Sequence, residues 1–399
     1  MQPRFSYMKK ALVVLLILAV AGGMFAQINF TGNVRGGIGI ALTDADNSDP
    51  EFLNYMFGDG LRTRFELTGT WAHADGNAGG RVLLRGYFHG AYDAFASAAN
   101  MNTDSLISIV NAEAWFKAMD GMITIYGGNI DQEGPFGTGG GIAENFGMNG
   151  GHGMFINVAP MAGLDIRAVV SPNNFTANTY GNLFENARYN FGFAYTMPDL
   201  LTVVGILRQS NGGVYDMTDV ALGFKILALR SMGLSTLNID VAILDLQKSA
   251  AAKFMTVQIG QRLEYVSGDL TIGGRFMQQL RLYDDTTAAP KPATYTPDLS
   301  FVVWLQYVMG NIVPRLDAGF NMGTAMSADY RGNWNGVAKN GFTEDRMNLP
   351  IMPSVAFRFG SANHYLKLGY TFKTDMSNYT TNPAVMMRNN IFVDYRVNF

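Results

Sequence analysis

The residues in this sequence best placed to do chemistry are cations that recur at even spacing. Arg62 and Arg64 stand two apart, Arg81 and Arg85 four apart, and Lys367 and Lys373 six apart. Side chains of an extended chain repeat with a period of two, so each pair falls on one face of a strand. Arg35 and Arg396 take the same face near the two ends of the chain, and Arg275, Arg281 and Arg315 are further candidates for it. Cations gathered on one wall can raise the local concentration of anions. They can equally pair with carboxylates such as Glu66 and Asp394 to brace a structure, and the two uses are compatible.

Nothing comparable supports catalysis. His73, His89, His152 and His364 show no metal-ligand spacing, and there is no cysteine to help them. No nucleophile elbow, phosphate-binding glycine loop or dinucleotide fingerprint is present. The expectation is a protein that is not an enzyme, with no cofactor and no metal. Two rings, Tyr87 and Trp115, share the face of the cations on neighbouring segments, where aromatics can stack on sugar rings.

A second chemical group lies in Ile130–Gly151. It carries Asp131, Glu133 and Glu144 around Gly134-Pro135-Phe136-Gly137 and three consecutive glycines, Gly139 to Gly141. A segment this rich in glycine reads as a loop, either folded inward or lying on the surface.

The elements that must hold these residues are two-faced strands. Ile391, Val393, Tyr395, Val397 and Phe399 alternate with Phe392, Asp394, Arg396 and Asn398. Thr63, Phe65, Leu67 and Trp71 alternate with Arg62, Arg64 and Glu66; Leu366, Leu368, Tyr370 and Phe372 alternate with Lys367 and Lys373. Between such segments short and long connections take turns, which is the pattern of an up-and-down transmembrane barrel. Nine long and eight short connections predict an all-β antiparallel barrel of about 18 strands, or of 16 if Gly153–Val158 is too short to span. An arginine facing lipid at mid-membrane costs about 2–4 kcal/mol, so the charged faces must point into the barrel. Trp71, Phe116, Tyr195, Tyr265 and Tyr307 lie on the apolar face, each close to a short turn, as an aromatic girdle would.

Composition agrees. The 399 residues include 46 glycines and only 15% charged residues. One apolar run stands at the N-terminus, preceded by Lys9 and Lys10 and followed by Gly22-Gly23-Met24-Phe25-Ala26. It reads as a signal peptide over residues 1–26, leaving 27–399 as the barrel. Its removal takes away Arg4, Lys9 and Lys10 and moves the formal charge from −3 to −6, a balance that argues against nucleic acid as a partner.

The apolar face that ends on Phe399 resembles the closing strand of Gram-negative outer-membrane β-barrels. That resemblance implies that Tyr395, Val397 and Phe399 form an assembly signal, and that the partners are outer-membrane lipid and the barrel-assembly machinery. The loop Ile130–Gly151 resembles the inward third loop of general bacterial porins: Pro135, Phe136 and Gly137 match its turn, while Glu133 precedes the proline instead of following it. The porin resemblance implies a passive channel for small hydrophilic solutes, a constriction set by that loop opposite the arginine wall, and a homotrimer. A surface adhesin or plugged structural barrel, and a sugar-selective channel, are the alternatives.

Overall fold

The computed structural model describes residues 27–43, 51–53, 64–87, 107–130, 151–172, 187–209, 218–244, 246, 254–283, 298–323, 346–377 and 384–399. The leader 1–26, Arg62, and the loop residues Asp131, Glu133, Pro135, Phe136, Gly137 and Glu144 lie outside them.

Nineteen strands occur among the described residues. The first six are β1 (Gln27–Thr43), β2 (Glu51–Leu53), β3 (Arg64–Ala72), β4 (Ala78–Tyr87), β5 (Ile107–Ala118) and β6 (Ile123–Ile130). Then come β7 (Gly151–Met161), β8 (Leu164–Pro172), β9 (Ala187–Met197), β10 (Leu201–Gln209), β11 (Thr218–Ile226) and β12 (Leu234–Leu244). The last seven are β13 (Phe254–Ser267), β14 (Leu270–Tyr283), β15 (Asp298–Tyr307), β16 (Ile312–Gly323), β17 (Arg346–Phe359), β18 (Ser361–Ser377) and β19 (Ala384–Asn398).

The three-residue β2 pairs only with β1 near its far end. The other eighteen form a closed antiparallel barrel, each hydrogen-bonded to its neighbours in sequence, with β1 pairing β3 on one side and β19 on the other. Closure leaves no sheet edge, the condition for a sheet to sit in lipid. The short segment that left sixteen strands open is β7, which runs to eleven residues and pairs with both β6 and β8. Glycines and small residues hid its length from a pattern reading. The last hairpin differs from expectation too: β18 and β19 extend until six residues separate them, where the sequence suggested a long loop.

Face assignments follow the alternation. Phe191, Leu222, Phe301, Leu305, Leu368 and Ile391 are exposed on the outer wall, while Asn190, Asp219, Ser300, Thr371 and Asp394 on the same strands are buried inside. Glycines within strands serve the close approach of rings from the facing strand. Trp304 lies over Gly273 and Phe392 over Gly369, each directly opposite its glycine; an added Cβ would sit 2.0 Å and 2.1 Å from the ring. A ring laid across a bare backbone covers what the missing side chain leaves open.

The turns at the other end are tight. Gly163, at φ +81°, joins β7 to β8 and has the Thr196 carbonyl oxygen where a Cβ would stand, so no other residue fits. Between β3 and β4 the Asn77 amide donates to Asp75 and the His73 ring lies 2.7 Å from the same carboxylate. The amide first, and then the imidazole, hold the Asp75 carboxyl below its ordinary range.

Candidate functional site in the barrel interior

Closure of the barrel brings together residues from opposite ends of the chain. Arg35 on β1 stands directly opposite Arg396 on β19 and Arg64 on β3. All three positions belong to the inward face. The Arg64 and Lys373 side chains are not described, but the register places both residues on the inner wall. The Arg35 Nε is buried and has no hydrogen-bond partner among the described residues, while Arg396 donates to Asn398 at 3.1 Å. Like charges directly opposite one another destabilise a sheet, so this row is a cost that folding alone does not explain.

The neighbouring cations are paired instead. Arg85 reaches Glu66 at 2.7 Å, and Asn33 donates to the other oxygen of the same carboxylate at 3.0 Å. Arg81 lies 3.3 Å from Glu113 on β5. On the far side of the seam Arg315 grips Asp317 through two nitrogens, at 2.6 and 2.9 Å. Lys367 stands opposite Asp394, with its ammonium 5.7 Å from the centre of the Phe392 ring. The Tyr365 hydroxyl donates to Asp394 at 3.2 Å. The bracing use of the cations therefore holds for Arg81, Arg85 and Arg315, while the Arg35 Nε is without a hydrogen-bond partner among the described residues.

The rest of the interior is not uniformly polar. Trp115, Tyr126 and Phe155 stand opposite one another on β5, β6 and β7, all facing inward. Trp115 lies over Gly79, and the Arg167 guanidinium sits 5.9 Å from the centre of the Tyr126 ring. Beyond Phe155 the wall carries Val169, Ala194, Val204, Ile206 and Ala221, interleaved with buried Arg167 and Asn190 and with the Arg208–Asp219 ion pair at 3.0 Å. The interior thus has arginines opposed at the β19–β1 seam, and rings and aliphatic side chains set among ion pairs along β5–β11.

Sequence reasoning found Arg35, Arg81, Arg85, Lys367 and Arg396, and Trp115 among the rings. It missed Arg167, Glu113, Asp317, Tyr126 and Phe155. Arg167 could have been found, because Leu164 and Ile166 alternate with Asp165 and Arg167. The apolar sector could not: β10 reads Leu-Thr-Val-Val-Gly-Ile-Leu, apolar on both faces, and such a strand has no legible inside. The girdle candidates all lie on the outer wall next to short turns, with Phe116, Tyr265 and Tyr307 exposed and Trp71 and Tyr195 half-buried.

No protein-family profile matches the chain, and no curated protein matches it in sequence. Solved structures do. A BenF-like porin from Pseudomonas fluorescens Pf-5 superposes with a TM-score of 0.57 at 10% identity, covering 94% of this chain and 100% of that one. OccAB4 from Acinetobacter baumannii gives 0.55 at 10% identity, over 94% and 99%. OccK3 (OpdO) from Pseudomonas aeruginosa gives 0.53 at 12% identity, over 94% and 96%. At such identities the likeness concerns the fold, and it spans nearly the whole of each chain. This protein has the porin-type outer-membrane β-barrel fold.

Proposed function

We propose that the chain is an outer-membrane porin, a passive aqueous channel for small hydrophilic solutes with a mild preference for anions. The observation that carries this is that Arg35 stands opposite both Arg396 and Arg64 across the closing seam, and its Nε has no hydrogen-bond partner among the described residues. A desolvated cation wall in a narrow aqueous path attracts anions and raises their local concentration. Fold likeness to porins supports the channel reading. In this reading Asp131, Glu133 and Glu144 of the third loop face the arginines and set a transverse field at a constriction. Residues 1–26 act as a signal peptide, Tyr395, Val397 and Phe399 address the assembly machinery, and the girdle rings meet the lipid headgroups.

Purified protein in planar bilayers should give step conductances and a reversal potential on the anion side. Arg35→Glu with Arg396→Glu should move that potential toward cations. Conductance without any shift would remove the arginine row from the conduction path, and absence of steps would sink the channel itself.

The aromatic row Trp115–Tyr126–Phe155 favours a second reading, a channel that binds sugars. Flat rings in register offer stacking faces, and paired groups such as Asn157 and Arg167, 3.3 Å apart, offer hydroxyl partners. Liposome swelling would then saturate with one sugar and lose saturation in Trp115→Ala. Swelling rates that only follow solute size would dismiss this reading.

A further inference from the structure

The outer wall carries two polar side chains in the middle of its apolar band. Gln261 on β13 is exposed and Gln278 on β14 is half-buried, and both point outward with Leu263, Tyr265, Ile272 and Phe276. Gln261 stands opposite Phe276 and Gln278 opposite Ile259, so the two amides are diagonal neighbours on adjacent strands. Apolar residues bracket them in both directions, with Leu263 and Ile272 toward the turn and Leu280 and Leu282 toward the far end. They therefore lie inside the apolar band and not at its margin. Neither has a hydrogen-bond partner among the described residues. Other outward amides do: Asn129 donates to the Val110 carbonyl, and Gln209 accepts from the Tyr189 amide.

Hydrocarbon offers an amide no hydrogen bonds, and leaving one unbonded there is costly. A carboxamide both donates and accepts, so its natural partner is a second carboxamide. Two such groups on one face are self-complementary under a two-fold axis, where each copy presents the same patch to the other. We propose that the outer face of β13–β14 is an interface between two copies of this chain, with Gln261 and Gln278 of each pairing across it. Exposed Leu263, Ile272 and Phe276 supply the surrounding apolar contact. This surface is independent of what crosses the lumen.

The chain has no cysteine, which makes the test clean. Gln261→Cys, oxidised in intact membranes, should give a disulfide-linked dimer. Leu84→Cys, an outward residue on the distant β4, should give only collision background. A Leu263→Cys reporter should also cross-link, and adding Gln261→Leu with Gln278→Leu should reduce its cross-linking by about tenfold. Leucine suits the lipid face, so those barrels should still fold and shift on heating in a denaturing gel. Equal cross-linking at positions 261 and 84 would overturn the interface and leave the amides facing lipid. Undiminished cross-linking in the leucine background would overturn the pairing of the amides.

Discussion

Glu66 shows how single residues divide the labour of the inner wall. It takes a charge-assisted bond from Arg85 and a neutral one from Asn33, and Arg35 contributes charge from the next strand. Arg85→Ala should remove the charge-assisted bond to the carboxylate and cost about 1–3 kcal/mol, read as a lower urea midpoint for unfolding of the purified barrel. Arg85→Lys should recover part of the loss. Pairing Arg85→Ala with Glu66→Gln should cost less than the two single changes added together, since removing the stranded charge removes its penalty. Strict additivity would show that the pair is not coupled. Arg35 differs in kind: its Nε meets no hydrogen-bond partner among the described residues, so its replacement should act on selectivity more than on stability.

The closing strand is the element on which the barrel depends. β19 pairs along nearly its whole length with β18, and with β1 from Asn33 to Thr43. Its last residue continues the ladder, because Phe399 donates to the Gly32 carbonyl at 2.9 Å and accepts from the Gly32 amide at 2.7 Å. The Phe399 ring lies against Gly32, where an added Cβ would meet it at 2.5 Å. Phe399→Ala keeps both backbone bonds but bares that glycine, and the predicted result is a lower yield of heat-modifiable barrel from the membrane fraction. Phe399→Tyr, which keeps the ring, should stay near wild type. If alanine folds as well as phenylalanine, the terminal ring is not part of the closure.

For the whole molecule, opposite sectors of the wall have different chemistry. Arginines stand opposite one another where the chain ends meet, and rings and aliphatic side chains line β5–β11 among ion pairs such as Arg208–Asp219. A solute with a polar side and an apolar side would find both, which is compatible with either a size-limited channel or a sugar-binding one. The localisation belongs to the same scale. The protein should fractionate with the outer membrane, migrate faster unheated than heated, and have a mature mass that begins at Gln27. A mature mass that retains residues 1–26 would contradict the signal-peptide reading.

Much of this was legible from residue order because a barrel strand is a local object. Period-two alternation in β3, β15, β18 and β19 marks inside from outside, and the turn residues between them count the strands. β7 and β10 were not legible in that way, one being rich in small residues and the other apolar on both faces. The site was legible as charges on inner faces, and closure of a barrel predicts that the strands carrying Arg35 and Arg396 lie side by side. Nothing in the spacing of Arg81 and Arg85 shows that Glu113 and Glu66 stand beside them. Arg35 and Arg396 lie 361 positions apart and meet only when β1 pairs with β19. By itself the sequence determined the class of the fold, the faces of most strands and the sign of the charge on one wall. The tertiary structure decided which charges neutralise each other and which arginines stand directly opposite one another, because register across a closed sheet is a long-range property that no local pattern contains.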